Sequence, residues 1–135
     1  MNGYLLDTNV VSLEARQVDR PEVGRLQRLR SLSYLASLTV SELRFGELRI
    51  AEGGKRDRLR RFIDDLIADE LPILPFDLAA AEWHAKERSR LVRIGRTPPF
   101  ADGLIAAVAA ANDLILITLN AKDFAAFQGV RVEAW

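Results

Sequence analysis

The stretch Tyr4-Leu5-Leu6-Asp7-Thr8-Asn9-Val10-Val11 is a short apolar run that ends on an acid and passes at once into polar residues. Tyr4–Leu6 reads as a strand buried in an α/β sheet. A carboxylate at the exit of such a strand faces the crevice in which open α/β sheets bind ligands. Asp7 is also a natural N-cap for a helix starting at Thr8 or Asn9, because its short acceptor satisfies an orphan amide.

The same alternation continues along the chain. Further short apolar segments, Tyr34–Leu38, Pro72–Leu74, Leu114–Thr118 and Val130–Glu133, are separated by helical patterns over Pro21–Arg30, Thr39–Ala51, Arg58–Ala68, Asp77–Val92 and Pro98–Ala111. Strands alternating with helices of this length imply crossover connections and a central, mainly parallel sheet covered on both faces, a three-layer α/β/α fold. Pro72 and Pro75 bracket a strand too short to be central. The pattern shows no linker or repeat, so residues 1–135 are expected to form one domain.

Composition narrows the chemistry. There is no cysteine and one histidine, His84, which excludes disulfides, thiolate zinc sites, a cysteine nucleophile and a multi-histidine metal centre. The longest apolar run, Leu104 to Leu119, is interrupted by Asn112-Asp113 and too short to span a bilayer, and no secretory leader is visible, so a cytoplasmic protein with no membrane partner is expected. Formal charge is zero, yet 16 of the 19 basic residues are arginine and nearly all precede position 97. Arginine forks match phosphate oxygens, which makes a polyanion partner plausible.

Besides Asp7, three acids occupy comparable edges: Glu42, Asp102 and Asp123. Each has an ordinary structural role open to it. Thr39-Val40-Ser41-Glu42 fits a capping box, Thr97-Pro98-Pro99 fits an N-cap with a first-turn proline ahead of Asp102, and Asn120 or Asp123 fits the cap of a short helix leading to Phe127. Their joint placement is the stronger signal: Asp7, Glu42 and the Asn120–Asp123 segment all follow strands, and Asp102 lies on a helix that starts at the same edge. Four carboxylates converging there would repel one another unless a hard cation were bound. Such a site supports metal-assisted hydrolysis of a phosphodiester without a side-chain base.

Leu5-Leu6-Asp7-Thr8-Asn9, Thr39-Val40-Ser41-Glu42-Leu43, Ala101-Asp102-Gly103-Leu104-Ile105-Ala106-Ala107 and Thr118-Leu119-Asn120-Ala121-Lys122-Asp123-Phe124 resemble, in order and spacing, the motifs of PIN-domain toxins of the VapC type. The resemblance runs from Tyr4 to nearly Trp135. It implies a PIN-like fold and a Mg²⁺-dependent endoribonuclease, with Mn²⁺ as a substitute ion, held inactive by a cognate antitoxin. Carried over, Asp7 and Asp102 match the principal metal-binding aspartates, Glu42 the third acid, and Asp123 or Asn120 the fourth region. Thr8, Asn9 and Thr118 resemble the polar residues that line the family's site.

Two basic helical stretches, Lys55–Arg61 and Lys86–Arg96, read first as solvated helix faces and second as tracks for an RNA backbone. His84 is expected on a helix face and not as a ligand. Phe45 and Leu48 lie rotated away from Leu43 and Ile50, an apolar excess that implies a homodimer. Two other functions compete. A haloacid-dehalogenase-like phosphatase would use Asp7 as nucleophile but wants a second acid where this chain has Asn9. A non-catalytic regulatory or binding module would use the acids as caps or as contacts for a basic peptide.

Overall fold

The computed structural model describes residues 3–16, 19–69 and 71–135. Tyr4–Leu6 forms β1, and Asp7 closes it by donating its amide to the Ile117 carbonyl at 2.9 Å. The Asp7 carboxylate meanwhile accepts the Thr8 amide as N-cap of α1, Thr8–Ala15. One residue thus ends the strand and starts the helix.

The chain continues through α2 (Pro21–Leu29), β2 (Ser33–Ala36), α3 (Ser37–Leu48), α4 (Gly54–Asp69), β3 (Ile73–Leu74), α5 (Leu78–Arg93), α6 (Phe100–Ala111), β4 (Ile115–Thr118) and β5 (Arg131–Ala134). The strands order as β3-β2-β1-β4-β5, and every pair is parallel. The two-residue β3 lies at the edge, as its flanking prolines imply. The chain winds outward from β1 in one direction through β2 and β3, then returns to the other side of β1 through β4 and β5. The reversal puts the topological switch point between β1 and β4, where Leu6 at the carboxyl end of β1 is in register with Ile117, one residue before the end of β4.

Strand pleat divides the core in two. Leu5, Ala36 and Leu116 join Ile105, Val108, Leu114 and Phe124 under α5 and α6. Their neighbours Leu6, Leu35 and Ile117 join Val10, Leu26, Leu43, Ile63 and Leu66 under α1 to α4. Successive side chains point to opposite faces, so a strand with helices on both sides must be apolar throughout. This is the three-layer α/β/α arrangement that the sequence implies.

Three local expectations need correction. α3 begins at Ser37, directly after β2, so Thr39 lies within the helix and no capping box forms. α6 begins at Phe100 with Pro99 as its N-cap residue, not at Thr97-Pro98. The residue before a proline is driven to extended backbone, and Pro98 and Pro99 apply that restriction to Thr97 and Pro98 in turn. α4 begins at Gly54, four residues before the expected Arg58, with Asp57 in its first turn where the helix dipole favours an anion.

Gly103 sets the distance between α5 and α6. A Cβ built there would stand 3.1 Å from His84 Nε2, tighter than ordinary van der Waals contact. His84 itself is wedged edge-on against Phe76 and Phe100. It is a partly buried packing residue, depressed in pKa by that burial and by the charge of Arg88.

Candidate active site

The switch point is built around Asp7, which is 6% exposed. One carboxylate oxygen accepts the Thr8 amide at 2.8 Å, and the other accepts the Thr118 hydroxyl at 2.7 Å. The Thr118 oxygen in turn accepts the Asn120 amide at 3.0 Å. Thr118 is fully buried at the end of β4, so it fixes the Asp7 carboxylate from below and not from inside the cavity. Each oxygen of Asp7 keeps an acceptor site free.

Glu42 arrives from the second turn of α3 and accepts the Thr8 hydroxyl at 2.7 Å. That hydroxyl has one hydrogen, and the short bond to an anion takes it. The buried Thr39 hydroxyl, 3.3 Å away, then donates to the Thr8 oxygen. Asp102 comes from the first turn of α6. Asn120 and Asp123 come from the 3₁₀ turn Ala121–Phe124 after β4, where Asn120 occupies the cap position without a side-chain capping bond. Asn9 closes the ring by accepting the Leu119 amide at 3.3 Å.

Asp7, Glu42, Asp102 and Asp123, with Thr8, Asn9 and Asn120, line one cavity of about 1020 Å³. Eight residues had been singled out; seven meet on this surface, and Thr118 lies beneath it. Among the described residues no lysine or arginine is ion-paired with any of the four acids. The cost of gathering these acids falls on Asp102. Burial, then the charges of Asp7, Asp123 and Glu42, push its carboxyl up to about 6. Asp7 is raised as well, chiefly by burial, against the lowering effect of its bonds to Thr118 and Thr8.

The donor set is all oxygen, which suits a hard divalent cation and excludes a soft one. Among the described residues, no group of three or more ligating side chains is already gathered in a metal-holding arrangement. An open set of carboxylates fits an ion that keeps much of its water and takes one or two protein ligands.

Thr39 beneath the cavity, and Ser12 and Arg16 on its wall, were not singled out for the site in the sequence. Thr39 had been read as a helix cap, and its part in orienting Thr8 depends on where α3 starts. Ser12 lies one turn beyond Thr8 on α1 and shares its face. Arg16, Lys55 and Arg58 also line the cavity, so the stretch Lys55–Arg61 is not simply a solvated face. The early start of α4 brings Lys55 and Arg58 onto the helix face that carries Leu59 and Phe62, all of which border the same space. The second stretch faces elsewhere: Arg88 and Arg96 border a separate cavity of about 180 Å³ with His84 and Phe100.

Comparison with known proteins agrees with this geometry. A family model described as PIN domain matches residues 4–130. The VapC ribonuclease Y4jK of Sinorhizobium fredii is 33% identical over 127 residues, covering 90% of this chain and 90% of its own. Toxin FitB of Neisseria gonorrhoeae is 35% identical over 139 residues, 97% of each chain. The solved structure of DNA-bound VapBC from Salmonella typhimurium contains a chain that matches with a TM-score of 0.88 and 26% identity, over 100% of this chain and 99% of that one.

Proposed function

This chain belongs to the PIN-domain family, and from that membership we propose that it is the toxin of a type II toxin–antitoxin pair, an endoribonuclease that hydrolyses RNA phosphodiester bonds with a divalent metal ion. The observation that carries this reading is the meeting of four acids from four separate segments on one cavity surface without a cationic partner. The residues are not needed there for the fold alone, since their mutual repulsion opposes folding. The two alternatives lose ground for the same reason. Asn9 occupies the place a phosphatase acid would need and is engaged with the Leu119 amide, while a binding module has no use for carboxylates held at such cost.

Asp7 and Asp102 are the proposed principal ligands of the ion, with Glu42 and Asp123 completing the negative surface and Mg²⁺ the proposed species, replaceable by Mn²⁺. When bound, such an ion would supply Lewis-acid stabilisation of phosphoryl charge and would lower the pKa of water so that hydroxide is available as nucleophile at neutral pH. The protein's share is orientation. The Thr8 amide and the Thr118 hydroxyl each donate to one oxygen of Asp7 and fix the rotation of its carboxylate, and the Thr8 hydroxyl holds Glu42. These fixed bonds spare the carboxylates any reorganisation when charge develops. Asp123 stands as the fourth acid, and the neutral Asn120 as a polar neighbour whose backbone N–H donates to the Thr118 hydroxyl oxygen.

Further parts of the reading concern context. Residues 1–135 act as one PIN-like domain in the cytoplasm, where RNA and a cognate antitoxin are both available; no helix among the described residues is long and apolar enough to cross a membrane. Phe45 and Leu48 on α3 are 63% and 60% exposed, an apolar pair that supports homodimerisation. The direct test is cleavage of a fluorogenic RNA in Mg²⁺ by the wild type, Asp7→Asn and Asp102→Asn. Loss of cleavage with unchanged circular dichroism is expected for both variants. Undiminished cleavage by both removes the mechanism.

A further inference from the structure

The cavity that holds the acids is not uniformly negative. Lys55 and Arg58 are three residues apart on α4, followed by Leu59 and Phe62, so one helix face presents two cations and then an apolar step to the same space as Asp7 and Asp102. Arg16, at the end of α1, borders it too. Among the described residues none of these three cations has a carboxylate partner, whereas Arg44 and Arg60 on the neighbouring surface are paired with Asp64 and Asp57. Arg58 is folded close over Gly54, where an added Cβ would meet its Nη1 at 3.2 Å. Of the basic residues between Lys55 and Arg61, then, only Lys55 and Arg58 border the cavity; Arg61 is exposed and does not.

Charge balance gives these cations a purpose. Four ionised acids and one divalent ion would leave about two negative charges in the cavity, and an RNA strand adds another at every phosphate. The strand would be repelled unless cations stood beside the acids. Building on the nuclease reading, we propose that Lys55 and Arg58, with Arg16, form the phosphate track of this site: they bind the phosphates flanking the scissile one in a single-stranded RNA and set how the strand lies across the acids. They touch the substrate away from the bond that is cut. Their loss therefore weakens binding of a polymer far more than it affects the chemistry on a small ester.

The test uses the whole protein with Lys55→Ala/Arg58→Ala combined, and Arg61→Ala as a control of equal charge type outside the cavity. Affinity for a fluorescein-labelled single-stranded RNA in Ca²⁺ is read by anisotropy over a salt series, and hydrolysis of bis(p-nitrophenyl) phosphate in Mn²⁺ is read alongside. Each lost cation should weaken RNA binding about tenfold or more. The slope of log affinity against log salt should shrink by about 1.4, at about 0.7 per phosphate contact for a single strand. Small-ester hydrolysis should fall far less than RNA affinity, because one small anion spans no flanking phosphates, and the Arg61 variant should match the wild type in both assays. RNA affinity and salt slope unchanged in the double variant, with the wild type cleaving RNA, overturn the track and leave the nuclease reading standing. The same holds if only inhibition by the antitoxin is weakened, which would assign the cations to the protein partner. A wild-type protein that neither binds nor cleaves RNA in any divalent ion overturns the nuclease reading itself and the track with it.

Discussion

Replacing Asp102 by Asn should inactivate the protein and at the same time make its metal-free form more stable. Asp102 is driven from an ordinary 3.8 to about 6 by burial and by Asp7, Asp123 and Glu42, so at neutral pH the folded state carries a charge that its surroundings oppose. That rise corresponds to about 3 kcal/mol between the two protonation states, and solvent screening of a side chain that keeps access to water reduces it to about 1–2 kcal/mol. The sign follows from linkage. A carboxyl whose folded pKa lies above its unfolded value favours folding below about pH 4, and that contribution is lost as pH rises through about 6. Asn carries no charge at any pH, so the variant escapes the loss. For 135 residues the unfolding entropy is about 0.3 kcal/mol/K, and the gain translates into a Tm about 4–7 °C higher near pH 7. The assay is thermal denaturation in chelator from about pH 4 to about pH 7. The difference between variant and wild type should vanish at the acid end and open through the stated window. A lower Tm for Asp102→Asn near neutral pH would refute the claim that the acids crowd one another.

Other perturbations separate site from scaffold. Thr118→Val removes the hydroxyl bonded to Asp7 and to the Asn120 amide, and should cost about 1–3 kcal/mol in denaturant melts and weaken Mn²⁺ binding by about 10–100-fold in calorimetry. Gly103→Ala places a methyl against His84 and should push α6 from α5, lowering cleavage although residue 103 touches no substrate; restoration by a companion His84→Ala would identify the cause as crowding. Glu87→Ala removes the acceptor of the Gln128 amide and the partner that steers Arg90 onto the Ala126 carbonyl, so it loosens the 126–128 segment from α5 and should destabilise by about 1–3 kcal/mol while Mn²⁺ affinity is retained. Leu48→Glu, with Phe45→Glu, should convert a dimer to a monomer in light-scattering mass measurements; a wild type already monomeric at every concentration counts against the dimer.

The layered fold could be read from pairs such as Leu5-Leu6 and Leu116-Ile117, because a strand covered on both faces leaves no polar alternation to misread. Asp7 could be read for the same reason: it is the first polar residue after a buried run. The local corrections arose where two devices were available and packing chose between them. Thr39 and Glu42 satisfy the spacing of a capping box, but β2 passes into α3 without a loop, so Thr39 turns inward and Glu42 is left to accept from Thr8. Lys55 and Arg58 were obscured by the charge around them. Five of the seven residues from Lys55 to Arg61 are basic, and only the start of α4 together with burial of Ile63 and Leu66 decides which of them turn toward the acids.

The account rests on the acids sharing a divalent ion, and a crystal structure soaked in Mn²⁺ tests that most directly through anomalous scattering. A peak in the cavity about 2.1 Å from oxygens of both Asp7 and Asp102 is the predicted result. A protein saturated with Mn²⁺ that shows no peak there, or binds the ion only at a distant surface, would contradict it.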